Sequence, residues 1–275
     1  MIGCPPVMKG ARESLVIRDS ARDYRLLIKP IRLCAEFISF RAMNALPLFF
    51  LLLCATMTAS KPTAKIRVQL VTGGHPHDIA FYHIFDNEDD LDLTVNPHPS
   101  AFQQDFRKSV DVLVLYDMAE ARSQQERKVL RDFVEAGKGL VILHHAIVDN
   151  QEWPWWYEQV SGGVYFETPR NGHAAAHYRH DVDFTVRPLG HHPITAGIGP
   201  FQLHDEVYKG MYISPHVTPI LETDTPDSDK IIGWISPYEK SKVVAIQPGH
   251  GAETHDSPSY RKLVHNAILW AAGRL

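Results

Sequence analysis

The sequence predicts an α/β protein built around a mostly parallel sheet with right-handed crossovers. Three observations carry this. Val112–Tyr116 (VLVLY) and Leu140–Leu143 are uninterrupted apolar runs, the mark of strands buried on both faces. A helix-patterned segment, Gln124–Glu135, lies between them. The composition, 44% hydrophobic and 22% charged over 275 residues, is ordinary for a globular chain. It excludes collagen-like, wholly disordered and multi-span membrane architectures.

The first 60 residues read differently from the rest. They carry eight Lys/Arg against four Asp/Glu, whereas the remainder carries 20 against 28. Cys4, Cys34 and Cys54 all lie there, and all 16 His lie at position 75 or later. Ala45–Ala55 (ALPLFFLLLCA) is too short for a comfortable membrane span and fits a signal-peptide core. Arg41 precedes it, and small residues at Thr56, Thr58, Ala59 and Ser60 offer a cleavage site. Its internal position suggests that initiation lies nearer Met43 or just upstream of Arg41. We therefore expect a leader over 1–60 and one domain over 61–275. Cleavage near residues 55–60 places the product in the periplasm or outside the cell, and an uncleaved leader is the only expected membrane contact.

Within the body, Ile66–Val71 (IRVQLV) is a buried strand leading into Thr72-Gly73-Gly74. His77–Phe85 suits a helix and Leu91–Val95 a second strand, ended by Pro97 and Pro99. A helix is expected over Ala101–Ser109, capped by Ser100. Ser123 caps Gln124–Glu135, whose Val129, Phe133 and Val134 share a face, and Gly137 ends it. Trp153–Val160 reads as helical and His173–Arg179 as an exposed loop. His191-His192-Pro193-Ile194 begins a short helix. Val182–Val186 alternates as a strand, and Lys230–Ile235 with Lys242–Ile246 reads as a hairpin. Ser257 caps a last helix, Tyr260–Ala272.

The acidic body lacks the basic stripe that nucleic acid requires. Without cysteine it offers no zinc ribbon, CxxC centre or thiol nucleophile. What it offers is histidine at strand ends, where open α/β sheets bind ligands. Ile66–Val71 runs into Gly73-Gly74-His75, then His77 and Asp78; Leu140–Leu143 runs into His144-His145. Phe201–Leu203 runs into His204-Asp205-Glu206, and Lys242–Ile246 into Gln247-Pro248-Gly249-His250. Singly, each could be a surface or satisfied core residue; the shared location sets them apart. Trp153, Trp155, Trp156 and Tyr157 could stack on a sugar's C–H face or simply anchor a helix.

The segments Val71-Thr-Gly-Gly-His75, Gly137-Lys-Gly-Leu-Val-Ile-Leu-His-His145, His192-Pro-Ile-Thr-Ala-Gly-Ile198, Asp205-Glu-Val-Tyr208, Pro248-Gly-His250 and Asn266-Ala-Ile-Leu-Trp-Ala-Ala272 occur in order over most of residues 65–275. In this the sequence resembles the ThuA-like family, named for trehalose utilisation. The resemblance implies a flavodoxin-like fold of the class I glutamine amidotransferase-like superfamily. Those amidotransferases carry a nucleophilic Cys after the strand matching Leu140–Leu143, with a partner His near the position of His250. Here that turn carries His144, so thioester-based glutamine hydrolysis lacks its nucleophile.

The expected function is an exported enzyme acting on trehalose, a glycoside or an oxidised sugar, as a hydrolase, lyase or isomerase. His144, Glu206 and His250 are the expected catalytic residues. His75, His145, Asp205, Trp155, Trp156 and Tyr208 are the expected substrate contacts. His144, His145, His250 and Glu206 could alternatively hold a divalent metal such as zinc, although no HExxH-type spacing occurs. Two rival readings are a carbohydrate-binding accessory module and an inactive amidotransferase relative serving as an interaction protein. Homo-oligomerisation is left open.

Overall fold

The computed structural model describes residues 64–119 and 122–275. The apolar segment Ala45–Ala55 and the expected boundary at residues 60 and 61 lie outside them. The first half alternates as expected: β1 (Ile66–Val71), β2 (Leu91–Val95), β3 (Val112–Leu115), α1 (Gln124–Glu135) and β4 (Gly139–Leu143). A single turn of 3-10 helix, His144–Ile147, follows β4, and Trp155–Val160 winds as a π-helix. Then come β5 (Gly163–Val164), β6 (His177–Pro188), β7 (Phe201–Lys209) and β8 (Tyr212–Ile213). The chain closes with β9 (Thr218–Glu222), β10 (Ile231–Ile235), β11 (Val243–Ile246), α2 (Ala252–Asp256) and α3 (Pro258–Ala271).

Nine strands form one sheet in the order β2-β1-β3-β4-β11-β10-β9-β6-β7. The stretch from β2 to β11 is parallel. From β11 onward each neighbour is antiparallel, so the parallel core carries an antiparallel extension. The central strands are buried on both sides. Val112 and Val114 face one apolar layer with α3, while Leu113 and Leu115 face another with α1. This two-faced burial is why those strands read as continuous apolar runs.

Local signals hold where they are self-contained. Ser123 and Glu126 form a reciprocal capping box at the start of α1. Ser257 accepts from the Tyr260 amide at the start of α3. Elsewhere the structure corrects the sequence reading. The helix expected over Ala101–Ser109 is only a 3-10 turn, Ser100–Phe102, without a Ser100 cap. Asp105 accepts from the Arg107 amide and Ser109 donates to the Phe106 carbonyl, local bonds that compete with helix formation. His177–Arg179, read as loop, opens β6 by pairing with Val207–Lys209 of β7. Its side chains are exposed, so no apolar alternation announces it. Asp205 and Glu206, expected just beyond a strand end, lie inside β7.

β6 pairs with β9 only at Arg187 and Pro188 but with β7 along most of its length. The β6–β7 ribbon thus joins the sheet at one end. Gln247, just beyond β11, donates to the Glu206 carbonyl at 3.2 Å, which ties the middle of β7 to the carboxyl end of β11.

α3 lies close against β4. A Cβ placed on Gly139 would sit 2.5 Å from the Ala271 carbonyl oxygen. Gly139→Ala should therefore push the end of α3 off the sheet and cost about 1–3 kcal/mol. A urea unfolding midpoint equal to wild type would contradict this close approach.

Candidate functional site

Three sheet-end turns and the ribbon converge. The turn after β1 carries His75, and its Gly74 has φ +79°. A side chain there would collide with the Met118 backbone, so this turn can seat against the chain after β3 only with glycine. His144 follows β4 directly with φ +41°, a left-handed conformation that is strained for an imidazole-bearing residue. The Gln247–Gly251 loop follows β11 and carries His250.

That loop is held from both sides. The Tyr260 hydroxyl donates to the Pro248 carbonyl at 2.9 Å. Tyr116 and His255 donate to the Gly249 carbonyl at 2.9 and 2.8 Å. From the other side Asp205 accepts from the Gly249, His250 and Gly251 amides at 2.7, 3.0 and 2.8 Å. Asp205 was expected to bind substrate. Its carboxylate is instead taken up by backbone, so it positions His250.

The His144 ring is buried and fixed at both nitrogens. Nδ1 faces the Gln247 carbonyl at 2.6 Å, so it carries a proton and donates. Nε2 lies 3.0 Å from the Tyr208 hydroxyl and 3.3 Å from Glu206 Oε1. In the neutral ring Nε2 accepts from Tyr208; with a second proton it donates to Glu206. Tyr208, expected to touch substrate, stacks on His144 with ring centres 4.7 Å apart, so it serves that ring as well as the cavity wall.

Glu206 is the hub. Its Oε2 lies 2.7 Å from His180 Nδ1 and 3.8 Å from His250 Nδ1. Burial opposes its charge, but the His144 hydrogen bond and the charges of His144, His250 and His180 outweigh burial. The carboxyl is held below the usual range. The imidazoles respond in the opposite sense. Burial, reinforced by His144 and His75, pushes His145 far down, and burial likewise lowers His250. His145 Nε2 and His250 Nδ1 stand 3.2 Å apart, with room for one proton between them. The His75 ring stacks obliquely on His145 at 4.2 Å.

His75, His145, Glu206 and Tyr208 border a cavity of about 240 Å³, whose wall also includes Tyr165, Tyr178 and His180; His250 faces a neighbouring space, and His144 lines neither. The structure thus brings together His75, His144, His145, Glu206, Tyr208 and His250. It does not bring in the tryptophans. Trp156 is 1% exposed in the layer beneath α1, and Trp155 packs on Arg131 and Tyr238. The aromatic rings on the cavity wall are instead those of tyrosines, Tyr165 and Tyr178 among them. His180, Tyr165 and Tyr178 were missed by sequence reasoning. No local pattern points to them, because the register shift between Arg179 and Val182 interrupts the alternation of Val182, Phe184 and Val186.

The ring nitrogens of His144, His145 and His250 lie within 4.8 Å of one another, as do ligand atoms of His180, Glu206 and His250. Either set could hold a divalent ion of the zinc type. One feature speaks against His145 as a ligand. Its buried Nδ1 has no hydrogen-bond partner, whereas a metal-bound imidazole almost always anchors its second nitrogen.

The model of the ThuA family, described as trehalose utilisation, matches residues 62–271. The chain belongs to the ThuA family. Two solved structures described as putative ThuA-like proteins share its fold. The one from Parabacteroides merdae is 17% identical, with a TM-score of 0.66 over 76% of this chain and 90% of the other. The one from Bacteroides uniformis is 18% identical, with a TM-score of 0.57 over 78% and 94%. The structure of PurLQS from Thermotoga maritima, 13% identical, aligns over 75% of this chain and 99% of its own with a TM-score of 0.51. The ThuA fold is accordingly amidotransferase-like, as the resemblance implied. No curated protein matches the sequence.

Two outcomes follow for this ThuA site. Removing the loop clamp with Asp205→Ala should cost about 3 kcal/mol or more, because buried amides lose a charged acceptor. Thermal or urea unfolding measures this. The second concerns acid. His145 and His255 are buried with lowered folded pKa values, so below the unfolded value of about 6.5 the unfolded chain binds the extra protons. Stability should fall as pH drops from 7 towards 5. His145→Gln should flatten that slope by up to about 1.4 kcal/mol per pH unit, read from urea midpoints at each pH.

Proposed function

We propose that the protein is an exported ThuA-like enzyme of carbohydrate catabolism. It transfers protons on a sugar substrate through Glu206 and the His145–His250 pair. The observation that carries the reading is the placement of Glu206. A buried carboxylate, touched by His144 and His180 and 3.8 Å from His250, borders a cavity beyond the strand ends. A group held ionised accepts a proton. The neighbouring imidazole pair, kept neutral by burial, takes or returns the proton that Glu206 does not. His144 occupies the position of the amidotransferase thiol, and its two ring nitrogens are already engaged. It therefore sets the protonation of Glu206 rather than attacking an electrophile.

The sugar substrate class follows from the family. Tyr165 and Tyr178 on the cavity wall support it, since aromatic faces suit the C–H faces of sugar rings. Export rests on the leader reading of residues 1–60. The rival reading, a binding module without turnover, would need the tyrosine wall but not Glu206.

Glu206→Gln keeps size and removes charge. Turnover of trehalose or an oxidised trehalose derivative should fall about 10²–10⁴-fold while circular dichroism stays unchanged. His250→Ala should lose activity similarly. Full activity in both variants would sink the assignment, and sugar binding without turnover in wild type would favour the binding module. Chelation by EDTA should leave turnover unchanged; loss of activity restored by zinc would bring the metal reading forward.

A further inference from the structure

Glu206 and His180 do not border one cavity only. Beyond them lies a second of about 290 Å³, lined also by Asp181, His204, His250, Ala252 and Glu253. The two spaces share the His180–Glu206 pair as their common wall, with His180 Nδ1 2.7 Å from Glu206 Oε2. We propose that the substrate spans both cavities, with one uncharged sugar ring in each and the link between the rings lying over Glu206. This inference rests on the carbohydrate reading above and adds a second subsite to it.

Size supports the division. At about 30 Å³ per water, each space equals some eight to ten waters. That is room for one hexose-sized ring and too little for two. Each falls below the range of about 300–1,000 Å³ usual for a larger ligand. Charge supports an uncharged substrate. Neither lining includes a Lys or Arg among the described residues, while Glu167 and Glu206 border the first cavity and Asp181 and Glu253 the second. Phosphate or carboxylate groups on a sugar would meet carboxylates there with no Lys or Arg to offset them. The walls also differ in kind. The first has Tyr165, Tyr178 and Tyr208 and holds its ring by aromatic contact. The second has no tyrosine or tryptophan and grips its ring through hydroxyl hydrogen bonds to carboxylates.

The backbone explains how His180 comes to stand between them. The β6–β7 register shifts between Arg179 and Val182, and Asp181 takes φ +57°. Such a bulge re-aims side chains and often sits beside a site. Here it sets His180 against Glu206 and Asp181 at the rim of the second cavity.

The test uses saturation-transfer NMR and calorimetry with trehalose, glucose and glucose 6-phosphate on the folded protein. Two variants, Ala252→Trp and Glu253→Trp, fill the second cavity without replacing any of the proposed acid–base residues. Glu253 is exposed, so that variant keeps the test open should Ala252→Trp fail to fold. In wild type, trehalose should bind at least tenfold tighter than glucose, and glucose 6-phosphate more weakly than glucose. Each filling variant should bring trehalose down to the glucose level and leave glucose unchanged. Equal binding of trehalose and glucose in wild type, or filling variants that leave trehalose unaffected, would overturn the second subsite alone. Tighter binding of glucose 6-phosphate would overturn the uncharged class. Absence of saturable binding by any of the sugars would overturn the carbohydrate reading together with this inference.

Discussion

One carboxylate holds the site together. Asp205 accepts three successive backbone amides, Gly249 to Gly251, and so joins the β6–β7 ribbon to the loop after β11. Everything else at the site hangs on that joint. His250 reaches Glu206 because its own backbone is clamped by the neighbour of Glu206. The opposite face of the loop is equally constrained, with Tyr116, His255 and Tyr260 serving its carbonyls. A loop with both its donors and acceptors satisfied by buried side chains has few other conformations to visit. The site is preorganised by backbone hydrogen bonds rather than by side-chain packing alone.

Electrostatics then divides the labour. Burial disfavours charge on every group here, whatever its sign. His145 and His250 yield to it, their basicity lowered by burial. Glu206 does not yield, because donors surround it. The result is an ionised carboxylate set among imidazoles.

Much of this was legible in the sequence, for an identifiable reason. Strands such as β3 and β4 announce themselves because both faces are buried, and α1 because its capping box is local. His75, His144 and His250 stood out because strand–turn boundaries are local too. What the sequence hid depended on distant pairing. His177–Arg179 is a strand only because Val207–Lys209 lies alongside it, and its exposed side chains carry no pattern. The role of Asp205 is invisible without the loop 44 residues away. Trp155 and Trp156 misled for the converse reason, since aromatic composition does not say which layer an aromatic ring will fill.

The β6–β7 ribbon spans residues 177–209, and it supplies Tyr178, His180, Asp181, His204, Glu206 and Tyr208 to the walls of the two cavities. The parallel strands supply His75, His145 and His250 from three separate places in the chain. Shape is therefore written in one continuous stretch, while the imidazole chemistry is scattered through the framework. Substitutions along that ribbon that spare Asp205 and Glu206 can reshape what the cavities accept while the parallel strands keep their histidines in place.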